Sequence, residues 1–189
     1  MNRAIILILF AILIFDRAPA MAETPPPEKG GTLPEITLTS PENNEARSYL
    51  GLSGKSAFSI PDIDANLVII EIFSMYCPYC QKEAPAVNRL YELIEKSPAA
   101  GKRVKMIGIG MGNTPLEVDI FKRNFKIPFP LFADPDFSIH KKIGEVRTPY
   151  FIVVNIKEDK SHTISYARRG SLGDPAKFID ALLMAAEKD

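Results

Sequence analysis

An α/β fold in a single domain is predicted by three features of this 189-residue chain. Residues 67–73 form an apolar run, Leu-Val-Ile-Ile-Glu-Ile-Phe, that is rich in β-branched side chains and broken by one acid, Glu71. A run of this kind reads as a strand buried on both faces, as in the middle of a largely parallel sheet. Strand-like and helix-like patterns then alternate along the rest of the chain, as expected when helices cover a sheet. Finally, Cys77 and Cys80 stand where the apolar run gives way to a helical pattern.

The chain has 23 basic and 23 acidic residues, so nothing in its charge suggests a nucleic-acid partner. Asn2 and Arg3 precede twelve apolar residues that end at Asp16 and Arg17. Twelve are too few to span a bilayer, which takes about 20. The pattern predicts a signal peptide over residues 1–22, cleaved after Ala20-Met21-Ala22, with Ala18-Pro19-Ala20 as a second candidate site. An uncleaved membrane anchor is the alternative. Residues 23–31, rich in Pro and Gly, read as a flexible linker to a domain over residues 32–189.

Within that domain, residues 33–38 suggest a first strand, bounded by Pro41 and the polar Glu42-Asn43-Asn44. Residues 45–52 are expected to return as its partner in an N-terminal β-hairpin, with a loop over residues 53–66. After the buried strand, Pro78 opens a helix that runs to about Lys96, with Val87, Leu90, Leu93 and Ile94 as its apolar stripe. Pro78 suits the first helical position, whereas Pro85 removes a hydrogen bond inside the helix. Residues 104–111 read as the next strand. Its Gly108-Ile109-Gly110-Met111-Gly112 resembles a dinucleotide fingerprint, but residue 113 is asparagine, so the spacing fails and no cofactor is implied. Asn113-Thr114-Pro115 offers the start of a helix with Leu116, Ile120 and Phe121 inward. A short strand at residues 129–132 and a small helix at 137–143 follow. Thr148-Pro149 then leads into an apolar strand at 151–154. Residues 157–160 turn the chain into a strand at 163–167, and Asp174-Pro175 starts a last helix carrying Phe178, Leu182 and Leu183.

The chemistry centres on the two cysteines. A thiol at a helix start meets unpaired N–H groups and the positive end of the dipole, so Cys77 should ionise below the free-thiol value of about 8.5 and act as the attacking sulfur. Cys80 lies one turn on, on the same face, and can close a disulfide. Two cysteines three residues apart make a poor structural staple, because the loop they close is very short. Zinc would want two further ligands, and His140 and His162 have no Cys or His at ligand spacing. Glu71, six positions before Cys77, is a carboxyl in an otherwise apolar strand; its pKa should rise, which suits it to carry a proton to or from Cys80.

Cys-Pro-Tyr-Cys-Gln-Lys-Glu-Ala-Pro, residues 77–85, resembles the C-x-x-C-x-x-E-x-P signature of the TlpA/ResA-type branch of the thioredoxin superfamily, with Cys77, Cys80, Glu83 and Pro85 in register. The preceding strand is also similar to that of DsbA-type oxidases, and Glu71 resembles the buried acid found there. The resemblance implies a thioredoxin-like fold with an N-terminal β-hairpin and a strand–helix insertion between Cys80 and Pro149. It also implies a cis proline at Thr148-Pro149, with the Thr148 backbone offered to a substrate strand. Tyr76 stands where that branch usually has tryptophan, and is expected to contribute to substrate binding with Thr148 and Pro149.

The reading that follows is a periplasmic thiol–disulfide oxidoreductase, leaning towards reductase, that exchanges with protein dithiols or disulfides and draws on a membrane or periplasmic electron-transfer partner. A DsbA-like oxidase is one alternative. A copper-binding or chaperone module on the same fold is another.

Overall fold

The computed structural model describes residues 24–186 except 99 and 102. The predicted signal peptide therefore lies outside the described residues. Among the described residues, seven strands and five helices occur in the order β1 (Thr37–Thr39), α1 (Asn44–Leu50), β2 (Ala57–Ser59), β3 (Leu67–Phe73), α2 (Pro78–Lys96), β4 (Val104–Met111), α3 (Pro115–Asn124), β5 (Leu131–Asp134), α4 (Ser138–Lys142), β6 (Tyr150–Ile156), β7 (His162–Arg169) and α5 (Pro175–Ala186). The main sheet has the order β5-β4-β3-β6-β7, with β3, β4 and β5 parallel and β6 and β7 antiparallel.

The apolar run is the central strand, and every residue of β3 is buried. Side chains alternate across a strand, so Val68, Ile70 and Ile72 enter one core while Leu67, Ile69 and Phe73 enter the other. The first core lies under the N-terminal segment and α4, with Leu38, Leu50, Phe58 and Ile139. The second lies under α2, α3 and α5, with Val87, Leu90, Phe121 and Phe178. Glu71 shares the parity of Phe73 and so points to the side of α2, where Cys80 is also buried.

Gly108 and Gly110 in β4 make room in this second core. A Cβ on Gly108 would lie 2.4 Å from the Leu131 Cδ2, and one on Gly110 would lie 2.9 Å from the Val118 Cγ2 and 3.1 Å from the Phe73 ring. The ring of Phe73 then stacks on Phe121 at 4.7 Å between centroids. Packing, not phosphate binding, accounts for these two glycines.

Several elements differ from the sequence expectation. Residues 45–52 do not return as a strand. They form α1, capped by the Asn43 side chain, which accepts from the Glu45 N–H at 2.7 Å, and closed by Gly51 at φ 68°. Ala46, Tyr49 and Leu50 have helical spacing, and the two caps sit at either end of it. The partner of β1 is β2, within the stretch expected as a loop, paired Leu38 to Phe58. A 3₁₀ turn at Ile60–Asp62 follows, held by the Asp62 carboxylate, which accepts from the Ser59 N–H and hydroxyl, both at 2.8 Å. Helix α1 has a task at the sheet as well. Strand β5 pairs only with residues 108–111 of β4, and the Tyr49 hydroxyl accepts the unpaired Met106 N–H at 2.8 Å.

Strand β5 starts two residues later than expected, and Leu116 is exposed whereas Val118 and Phe121 carry the inner face of α3. Residues 24–31, expected as a free tether, lie along the domain. The Tyr150 hydroxyl donates to Pro27 O at 2.9 Å, Gly30 N to Ile164 O at 2.7 Å, and Ile164 N to Gly31 O at 2.8 Å. An exposed strand edge offers backbone partners even to a Pro-rich segment, which composition alone does not reveal. No helix among the described residues is long and apolar enough to cross a membrane.

Candidate active site

The site forms where β3 ends and α2 begins. Cys77 is the N-cap of α2, with Pro78 as the first helical residue, and its sulfur accepts from the Cys80 N–H at 3.4 Å. The turn that brings it there is closed by the Cys77 N–H donating to Ser74 O at 3.0 Å and by the Gln81 side chain donating to Met75 O at 2.8 Å. Both cysteines are free thiols. Cys77 is partly exposed, whereas Cys80 is fully buried beside Ala84 and Val87.

This asymmetry separates the two sulfurs chemically. Burial alone would raise the Cys77 thiol, but contacts with Thr148 and the Cys80 thiol, and the N–H groups of Cys80 and Tyr79, outweigh it and leave the pKa lowered. Burial pushes the Cys80 thiol well up, with further contributions from Glu71 and Cys77. A low-pKa exposed thiol and a high-pKa buried thiol are the division of labour that exchange chemistry uses.

Glu71 lies beneath them, and burial pushes its carboxyl up to about 8, helped by the nearby Glu83 and Cys77. It belongs to none of the ion pairs among the described residues, so no lysine or arginine holds it ionised. Thr148 and Pro149 approach from the other side. Their peptide bond is cis, the Cys77 Sγ lies 3.6 Å from Thr148 O, and Pro149 O accepts from the Gly170 N–H at 2.8 Å. His140 steadies the approach to this loop, with its ring Nε2 2.8 Å from Val146 O.

Cys77, Cys80, Glu71, Thr148 and Pro149 are thus brought together. Tyr76 is exposed next to Cys77, but its hydroxyl donates to Glu117 at the start of α3 and its ring does not line the groove along Thr148 and Pro149. Tyr79 lines that groove instead.

Two residues that hold the site were not singled out for it by the sequence. Asn113, expected as a helix cap, is fully buried and its Oδ1 accepts the Met75 N–H at 2.8 Å, while Thr114 caps α3. Glu83, known from the sequence only as part of the signature, accepts from the Ser171 hydroxyl and the Leu172 N–H. A polar residue at a strand end followed by its own cap was the available signal for Asn113.

A dithiol at a helix start facing a cis proline, on a central sheet of this order, defines a thioredoxin-like thiol–disulfide oxidoreductase. Such enzymes act on protein dithiols or disulfides. The AhpC/TSA family matches residues 30–169, and the chain belongs to that family. Its curated relatives include the thiol-disulfide oxidoreductase ResA of Geobacillus thermodenitrificans, 24% identical over 163 residues that cover 85% of this chain and 84% of the relative. Among solved structures, StoA of Bacillus subtilis superposes with a TM-score of 0.56 at 18% identity, covering 79% of this chain and 97% of that one. A secreted thiol-disulfide isomerase of Corynebacterium glutamicum gives 0.58 at 19% identity, covering 82% of this chain and 85% of that one.

Proposed function

We propose that the chain is an exported thiol–disulfide reductase in which Cys77 attacks, Cys80 resolves and Glu71 moves the proton. The Cys77 thiolate attacks one sulfur of a substrate disulfide, forming a mixed disulfide and releasing the first substrate thiol. Glu71, in its ionised form, takes the proton of Cys80 as Cys80 attacks the Cys77 sulfur, which releases the second substrate thiol and leaves Cys77 and Cys80 joined. Two electrons pass to the substrate, and a dithiol donor in the same compartment, membrane-bound or soluble, restores the pair. Thr148 and Pro149 receive the substrate strand, with Tyr79 as the aromatic side chain beside them.

The observation that carries the reductase direction is that hydrogen bonds, and not a cation, lead the stabilisation of the Cys77 thiolate. Burial and hydrogen bonds are the largest influences on Cys77, and Glu71, the titratable group near it, brings no positive charge. Tyr79, between the cysteines, is neutral. Weak thiolate stabilisation makes the reduced pair less stable and so a better electron donor. Export is supported by the apolar stretch at residues 4–15 and by the secreted Corynebacterium neighbour.

Equilibration of the pair against glutathione tests the direction. A reductase should lie well below the strong-oxidant value of about −120 mV. A potential near that value would identify an oxidase, and stoichiometric Cu(I) binding without insulin reduction would identify a metallochaperone. Intact mass of the exported chain should correspond to a start at Glu23.

A further inference from the structure

The groove beside the dithiol is more basic than the chain as a whole. The chain balances 23 basic against 23 acidic residues. Yet the charged residues that line the groove of about 660 Å³ beside Thr148 and Pro149 are Lys82, Arg147 and Arg169 against Glu83 alone. The three cations converge from α2, from the loop before β6 and from the end of β7. All three are exposed, and none belongs to an ion pair among the described residues. Glu83 is buried, with its Oε1 engaged by Ser171 and Leu172. The groove begins beside the Cys77 sulfur, which lies 3.6 Å from the carbonyl of Thr148, one of its lining residues.

We propose that the groove selects substrates whose reactive cysteine lies in an acidic polypeptide segment, with Lys82, Arg147 and Arg169 engaging carboxylates that flank it. The inference rests on the oxidoreductase reading and names the substrate class for it. Arginine meets carboxylate in a two-point fork, and two of the three cations are arginines. A concave site lined by one sign of charge also raises the encounter rate with the opposite sign, by tenfold or more at low salt. Single exposed pairs contribute little, so the preference comes from the three acting together.

Two peptides of equal length test this, each carrying one cysteine as a mixed disulfide with 2-mercaptoethanol, flanked by glutamates in one and glutamines in the other. The second-order rate of reduction by the reduced full chain is divided by the rate with dithiothreitol, which removes the intrinsic effect of the flanking charges. The glutamate peptide should react about tenfold faster at low salt. The advantage should vanish near about 1 M salt, where the Debye length is about 3 Å, and in the triple variant Lys82→Gln, Arg147→Gln, Arg169→Gln. Equal rates, or an advantage that survives high salt, would overturn the proposal. Should the triple variant not fold, the salt dependence of the wild-type chain decides. Reaction of the glutamine peptide at the same rate removes the groove inference alone; failure of both peptides to react removes the oxidoreductase reading with it.

Discussion

Oε1 of Glu83 accepts the Leu172 N–H at 2.8 Å and the Ser171 hydroxyl at 3.0 Å, which joins the active-site helix to the loop after β7. The same carboxylate lies close enough to Glu71 to raise it. One residue thus closes a wall of the groove and helps raise the carboxyl of Glu71.

Glu83→Ala should therefore act on both. Leu172 N–H is buried and would lose its acceptor, at a cost of about 1–3 kcal/mol. Urea unfolding measures it; a change below about 0.5 kcal/mol, the usual range for an uninvolved surface site, would show that the loop does not depend on Glu83.

For Glu71 the sign of the pH effect follows from its raised pKa. In the folded chain the carboxyl keeps its proton up to about 8, against 4.5 when unfolded. The contribution to stability is fully present below 4.5 and is lost as pH rises towards 8, at up to about 1.4 kcal/mol per pH unit. Glu71→Gln should flatten that decline and slow exchange near neutral pH. Unchanged exchange rates across that range would remove the proton role.

Cys80→Ser should accumulate mixed disulfides through Cys77, because the exposed sulfur still attacks and nothing releases the product. Non-reducing gels and mass spectrometry read the adducts. Trapping by Cys77→Ser in place of Cys80→Ser would reverse the assignment.

Asn113→Ala should leave the Met75 N–H without its acceptor and loosen the turn that carries Cys77. A loss of about 1 kcal/mol is expected, together with a changed rate of Cys77 alkylation. Asn113→Asp keeps an acceptor at the same place and should restore the alkylation rate; if both variants alkylate like the wild type, Asn113 does not position the site.

Much of this site was legible in the sequence because it is local. An unbroken β-branched run, two cysteines three apart and a first-turn proline define strand, sulfur pair and helix within one stretch, and β3, α2 and β4 lie where the pattern puts them. Glu71 stood out for the same reason, as the single acid in an apolar run. Residues 45–52 resemble a strand because the segment is short, although Ala46, Tyr49 and Leu50 satisfy helical spacing, and the caps Asn43 and Gly51 look in sequence like a turn and part of a strand.

What only the tertiary structure decided is which distant side chains meet. Glu83 reaches Leu172, Asn113 reaches Met75, and Lys82, Arg147 and Arg169 converge on one groove although no pattern links them in the chain. Periodicity reports which face of an element is buried. The partner across a sheet or loop depends on strand order and register, and these are set by the packing of the whole core.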